Sequence, residues 1–206
     1  MRILLIARTN GPFKPKKDYV NYLIKELLDR GYYISMYDPK SRLLMNYNDK
    51  TVKTIFINKK IKNRMLYFSI NIIALNQVLK SAIDKFDCIH FLNIRFELLF
   101  LIKRLRGYQG LKIGTIYGGE IFLNPIKRLF NKIYKTFDVL TVQNDDLKTI
   151  FQKIYPNINA AKIHVKQFPI ISLEIIDAIM MKNTKKCIRD KYKIKDSDFV
   201  IQCCTN

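Results

Sequence analysis

The sequence predicts an α/β fold, a doubly wound parallel sheet with helices on both faces. Short apolar runs, typical of strands buried on both sides, alternate along the chain with longer stretches whose apolar residues recur every three or four positions, typical of helices. Alternating strands and helices build a doubly wound sheet. In such sheets ligands bind beyond the carboxyl ends of the strands, so functional residues are expected in the strand-to-helix loops.

Each element follows from a local pattern. The apolar runs predict strands at 2–7, 32–38, 54–57, 87–93, 111–117, 138–142 and 162–168. The helical stripes are Val20–Leu28, Met65–Ile83, Leu98–Leu105, Ile126–Phe137 and Leu147–Ile154. Gly31 and Gly107 are placed to end the first and third helices, Asn144 is placed to cap the last, and Pro156 follows it.

The C-terminal part of the chain has a different pattern. Residues 171–197 are helical in pattern and highly charged, which predicts a connector rather than a further part of the first sheet. Residues 198–206, DFVIQCCTN, have the pattern of a buried strand. We therefore expect a first domain at 1–170, a connector at 171–197 and the first strand of another domain at 198–206.

Charge and cysteine content limit the functional classes. The formal net charge of +20 favours a polyanionic partner, although a coding bias toward lysine explains the same excess. The four cysteines form no CxxC pair, so no zinc site is predicted. The first residues lack the features of a signal peptide, and no apolar run is long enough for a membrane span. These features predict a cytoplasmic protein, either soluble or peripheral on a membrane.

The loop after the first strand, ARTNGPFKPKKDY, excludes one cofactor class. It lacks the G-x-G-x-x-G pattern, and the chain has no Walker phosphate loop, so binding of NAD or FAD in the usual manner is not expected. Lys14, Lys16 and Lys17 precede a predicted helix, where an anion would be favoured. A solvated turn remains the alternative explanation.

The loop YGGE gives a second candidate site. Gly118 and Gly119 permit close approach of a ligand at a strand end, and Glu120 would project beside it, although Gly-Gly is also an ordinary turn signal. His90 lies within a predicted strand, a position more typical of a core residue than of a catalyst. No catalytic triad and no metal-binding spacing is present.

Several stretches, in order, resemble GT-B glycosyltransferases, in particular the GT4-like group. DCIHFLN resembles that family's D-[IV]-[IV]-H-x-H strand, and KIGTIYGGE resembles its HG-x-D/E strand end, with Tyr117 in place of the usual histidine. FDVLTVQNDDLKTIF resembles its A-D-x-[IV]-x-x-[ST] segment. RDKYKIKDSDFVIQCCTN resembles the passage into the C-terminal domain, whereas the N-G-V-D motif expected after KIHVKQF is missing.

The resemblance implies a Rossmann-like, acceptor-binding N-terminal half of a nucleotide-sugar-dependent transferase. The donor would bind to a C-terminal domain, in cis or as a subunit in trans, and this half would need neither a cofactor nor a metal. The transfer would serve bacterial surface polysaccharide synthesis. The residues implied for the acceptor pocket are Asn10, Gly11, Phe13, Asn93, Tyr117, Gly118 and Gly119, with Glu120 and His90 as catalytic candidates. By itself the chain is expected to be inactive.

The expected partners are a glycan or lipid-linked acceptor and an anionic membrane surface. Lys127, Arg128 and Lys132 accompany apolar residues on one predicted helix, a pattern typical of basic helices that lie on lipid and equally of core helices with a solvated basic face. Two alternatives remain. One is a non-catalytic acceptor- or membrane-binding subunit of a split glycosyltransferase. The other is a nucleic-acid binder, for which no recognition motif is present, so no specific nucleic acid is expected.

Overall fold

The computed structural model describes residues 1–7, 19–55, 64–82, 85–118, 121 and 127–166. The strands are β1 (Arg2–Ile6), β2 (Tyr33–Asp38), β3 (Leu43–Asn46), β4 (Thr51–Thr54), β5 (Cys88–Phe91), β6 (Leu111–Ile116), β7 (Val139–Val142) and β8 (Ile163–Val165). The α-helices are α1 (Tyr19–Asp29), α2 (Arg64–Ala82), α3 (Ile102–Gly107), α4 (Lys127–Tyr134) and α5 (Asp145–Ile154), and 3-10 helices span Phe96–Leu101 and Ala160–Lys162.

In the described part of the chain, these strands form one sheet in the order β4-β3-β2-β1-β5-β6-β7-β8. Strands β2, β1, β5, β6, β7 and β8 run parallel, and β3 and β4 add an antiparallel hairpin at one edge. The predicted fold class, a doubly wound α/β sheet, is confirmed.

Both faces of the sheet are covered, which explains the continuous apolar sequence of the central strands. On β1, Leu4 and Ile6 pack into one core with residues of α2, α3, α4 and α5. Ile3 and Leu5 point to the other face, where they pack against α1 through Ile24. Cys88 of β5 belongs to this second core, and burial raises the pKa of its thiol to about 12.

The structure corrects several predicted elements. The sequence indicated a strand at 54–57; the described strand is Thr51–Thr54, the outer strand of the hairpin, and residues 56–57 of the predicted strand lie outside the described residues. Residues 98–105 are not one helix, since a 3-10 helix at Phe96–Leu101 precedes α3. Met65, predicted to lie on the buried stripe of α2, is 81% exposed because the buried stripe runs through Ala74, Leu75, Val78 and Leu79.

The predicted domain organisation is described only in its first part. The chain divides into two units, Met1–Phe168 and Pro169–Asn206, and every described residue belongs to the first. The predicted connector at 171–197 and the predicted strand at 198–206 lie outside the described residues. Among the residues that are described, none of the helices combines the length and hydrophobicity needed to span a bilayer.

Candidate functional site

The strand order places a binding crevice at one point of the sheet. From β1 the chain moves to one side to form β2, β3 and β4, and it then crosses to the other side of β1 to form β5 and the strands that follow. In open α/β sheets such a switch point leaves a crevice beyond the carboxyl ends of the two central strands. Here these ends are Ile6 and Phe91, which are partners in register. The candidate site is therefore the carboxyl edge of β1, β5 and β6.

A polar row crosses the sheet close to this edge. The ring Nε2 of His90 on β5 is 2.8 Å from the Thr115 hydroxyl on β6, and that hydroxyl is 2.8 Å from the Thr141 hydroxyl on β7. Burial lowers the pKa of His90 to about 4. At neutral pH the imidazole is therefore uncharged, and hydrogen bonds across three neighbouring strands hold its orientation.

Three further predicted residues follow the strands that carry His90 and Thr115. Asn93 is exposed directly after β5, and Tyr117 follows β6. Gly118 has φ of +103°, in the left-handed region where a side chain is disfavoured, and its carbonyl accepts a hydrogen bond from the Ile121 N–H. The chain therefore turns at Gly118, as the double glycine of the sequence predicted.

Other predicted site residues lie outside the described part of the chain. They are Asn10, Gly11, Phe13, Lys14, Lys16, Lys17, Gly119 and Glu120, together with the side chain of Lys127. Arg128 and Lys132 are described and exposed on α4. Of the apolar residues predicted to accompany these cations on lipid, Ile133 and Phe137 are buried in the core and Phe130 is partly buried against it.

The structure also shows a buried polar cluster that the sequence reading missed. It lies where β2 and β5 end against α2. Arg42 is 1% exposed, its Nε donates to the Asn71 Oδ1 at 3.2 Å, and its guanidinium lies 5.1 Å from the ring centre of Tyr67. Arg95 and Glu97 form an ion pair directly after β5. Asp38, at the end of β2, accepts hydrogen bonds from the Lys40 backbone N–H and the Ser41 hydroxyl.

A small cavity lies within this cluster. Its lining includes Ile6, Pro39, Asn71, Phe91, Arg95 and Glu97, and its free volume is about that of one water molecule. Among the described residues, the Asn71 Nδ2 and the Arg95 Nη1 have no hydrogen-bond partner, and neither has the buried hydroxyl of Tyr37 nearby. Burial raises the pKa of Tyr37, so its phenol stays protonated. The amide Nδ2 and the guanidinium Nη1 are hydrogen-bond donors, and the tyrosine hydroxyl can donate or accept.

Some of these residues had a signal in the sequence. Arg95 and Glu97 come directly after a predicted strand, in the loop position where functional residues are expected. Asp38 likewise ends a predicted strand. Asn71 gave a weaker signal, as a polar residue within an apolar helical stripe, and Thr115 and Thr141 are common strand residues. In the described part of the chain, no group of three or more His, Cys, Asp or Glu side chains is placed to hold a metal ion.

Comparisons with known proteins identify the fold. No protein-family model matches the chain, and no curated protein matches it. Among solved structures, it is similar to the UDP-N-acetylglucosamine 2-epimerase of Rickettsia bellii, with 15% identity and a TM-score of 0.53 over 95% of this chain and 52% of that one. It is also similar to the UDP-GlcNAc 2-epimerase of Neisseria meningitidis bound to UDP-GlcNAc, with 15% identity and a TM-score of 0.55 over 95% and 54% of the two chains.

These likenesses show a GT-B-like Rossmann fold. The two similar enzymes act on a nucleotide sugar, and the chain spans about half the length of each. At this identity the similarity concerns the fold of the chain and not its reaction.

Proposed function

We propose that the chain is the N-terminal, acceptor-binding half of a GT-B glycosyltransferase of the GT4-like group. The complete enzyme would move a sugar from a nucleotide sugar to a glycan or lipid-linked acceptor in bacterial surface polysaccharide synthesis. The observation that supports this best is the carboxyl edge of β5 and β6. There Asn93 follows β5 and Tyr117 follows β6, on one side of the topological switch point of a GT-B-like sheet, and the imidazole of His90 on β5 is oriented by Thr115 of β6.

In this proposal the edge binds the hydroxyl that receives the sugar. Asn93 and Tyr117 supply donors and acceptors suited to sugar hydroxyls, and the glycine at 118 lets backbone approach the ring. A base removes the hydroxyl proton, the new bond forms at the anomeric carbon, and the bond from that carbon to the diphosphate breaks. Glu120 is the candidate base, and the neutral His90 orients the acceptor. The nucleotide sugar is held by the other half, either in cis or as a subunit in trans.

A second candidate function follows from the solved structures. The two solved structures named above are UDP-GlcNAc 2-epimerases, which favours a sugar-nucleotide epimerase as the alternative. An epimerase changes the sugar of the nucleotide itself and needs no glycan acceptor. Binding of a free glycan therefore separates the two functions.

The proposal that the chain binds the acceptor is tested by measuring the binding of the fluorescently labelled 206-residue chain to an oligosaccharide array. We expect a defined set of glycans to bind, and Tyr117→Ala to weaken that binding about tenfold, since a hydrogen bond and ring contact are lost. Tyr33→Ala is the matched control, because Tyr33 is 60% exposed at the opposite, amino end of the sheet. If no glycan binds, or if both variants lose binding equally, the edge is not an acceptor site.

A further inference from the structure

The contact with Arg42 determines how the Asn71 side chain is oriented. A guanidinium group can only donate hydrogen bonds, and the Arg42 Nε donates to the Asn71 Oδ1 at 3.2 Å. The other end of the amide is therefore the Nδ2, which carries two N–H groups. Asn71 is 3% exposed, and within the described residues its Nδ2 has no partner. Since buried donors in folded proteins are almost always paired, this nitrogen requires an acceptor.

Arg95 supplies a second donor to the same cavity. Its Nη2 donates to the Glu97 carboxylate, whereas its Nη1 is buried and has no partner in the part of the chain that the structure describes. Asn71, Arg95 and Glu97 all line the small cavity beside the carboxyl ends of β1 and β5. The cavity therefore combines two donors, which require an acceptor, with a carboxylate that accepts hydrogen bonds.

Size and charge select the molecule that fits this cavity. Its free volume is about that of one water molecule. An anion would accept from both donors but would lie against the carboxylate of Glu97, and a cation would lie against the guanidinium of Arg95. A water molecule carries no net charge and can both accept and donate. The remaining lining side chains are apolar: Ile6, Pro39, Leu75, Phe91 and Leu98.

We propose that the cavity binds one ordered water molecule. The water accepts hydrogen bonds from the Asn71 Nδ2 and the Arg95 Nη1, and it donates one to the carboxylate of Glu97. Three hydrogen bonds are the number typical of a buried water. Because Asn71 belongs to α2 and the other two residues follow β5, the water joins this helix to the segment that leaves the candidate site. The proposal does not depend on the reaction at the sheet edge.

A crystal structure of the 206-residue chain, at a resolution that shows ordered water, tests the proposal directly. We expect one density peak in the cavity, at about 2.7–3.2 Å from both the Asn71 Nδ2 and the Arg95 Nη1. Soaking the crystals in bromide tests for the competing occupant, since bromide replaces a bound halide and gives an anomalous signal. A bromide peak in the cavity, or no density there at all, would overturn the proposal.

Solution NMR tests how long the water stays and supplies a matched control. We expect the side-chain amide protons of Asn71 to show a nuclear Overhauser effect to water with the sign of a long-lived contact, and those of exposed Asn157 to lack it. Asn71→Asp assigns the signals, because it removes the amide and keeps an oxygen for Arg42. Tyr37→Phe should leave the effect unchanged. Equal effects at both amides, or loss of the effect in Tyr37→Phe through relay from the hydroxyl, would contradict the proposal.

Discussion

Replacing Arg95 with methionine is expected to lower the free energy of unfolding by about 3 kcal/mol. The side chain of Glu97 is only 8% exposed, and its carboxylate accepts a hydrogen bond from the Arg95 guanidinium. Removing the guanidinium leaves a buried carboxylate without its counter-charge, and breaking a buried pair from one side costs about 3–5 kcal/mol. The lower end applies because Arg95 itself is 21% exposed. Urea unfolding at neutral pH measures the change.

Two further variants identify the cause of this loss. The double variant Arg95→Met with Glu97→Gln should recover most of the stability, since neither charge of the pair remains. Arg30→Met removes a matched surface pair, whose partners Arg30 and Glu26 are 65% and 61% exposed, and should change stability by less than about 1 kcal/mol. If the double variant is as unstable as Arg95→Met, the pair with Glu97 does not explain the role of Arg95.

The stability of the protein should also depend on the protonation of His90. Burial lowers the pKa of this imidazole to about 4 in the folded chain, against about 6.5 when unfolded. Between these values the unfolded state binds the proton more tightly, so the stabilisation present above pH 6.5 is lost as pH falls toward 4. The expected loss is about 3 kcal/mol over this range, measured by urea unfolding at a series of pH values.

The other histidine of the chain provides the control. His164 is exposed on β8, and the chain contains two histidines in all. Carboxylates also titrate at low pH, so the informative quantity is the difference between variants. His90→Gln should flatten the pH dependence between 6.5 and 4, and His164→Gln should leave it as in the parent chain. Parallel curves for the parent and His90→Gln would show that His90 does not titrate differently in the folded state.

The fold was predictable because its signals are local and repeated. Continuous apolar runs such as RILLI indicate a strand that is buried on both faces. The helical stripe of α1 indicates which side of that helix packs against the sheet. The β3–β4 hairpin was not predicted, since β4 is exposed at every position and therefore has no apolar pattern. Met65 was misassigned because the apolar residues of α2 are spread around the helix, so the sequence did not show that the buried stripe runs through Ala74, Leu75, Val78 and Leu79.

The part of the candidate site that depends on backbone conformation was predictable from the sequence. The double glycine at the end of β6 predicted a turn, and Gly118 makes one. The buried cluster required the fold, because Arg42 and Asn71 are 29 positions apart and meet only when α2 packs against the end of β2. The row from His90 to Thr141 likewise depends on the order of β5, β6 and β7, which apolar runs alone do not give.

The acceptor-binding assignment is tested most directly by calorimetric titration of UDP-GlcNAc, the ligand bound in one of the similar structures, into the 206-residue chain. The titration is repeated at raised ionic strength, which screens attraction due only to the net charge of +20. If the donor site belongs to the other half, the dissociation constant at raised ionic strength should be weaker than about 1 mM. Binding at about 1 mM or tighter would place the nucleotide-sugar site in this chain and contradict the proposal.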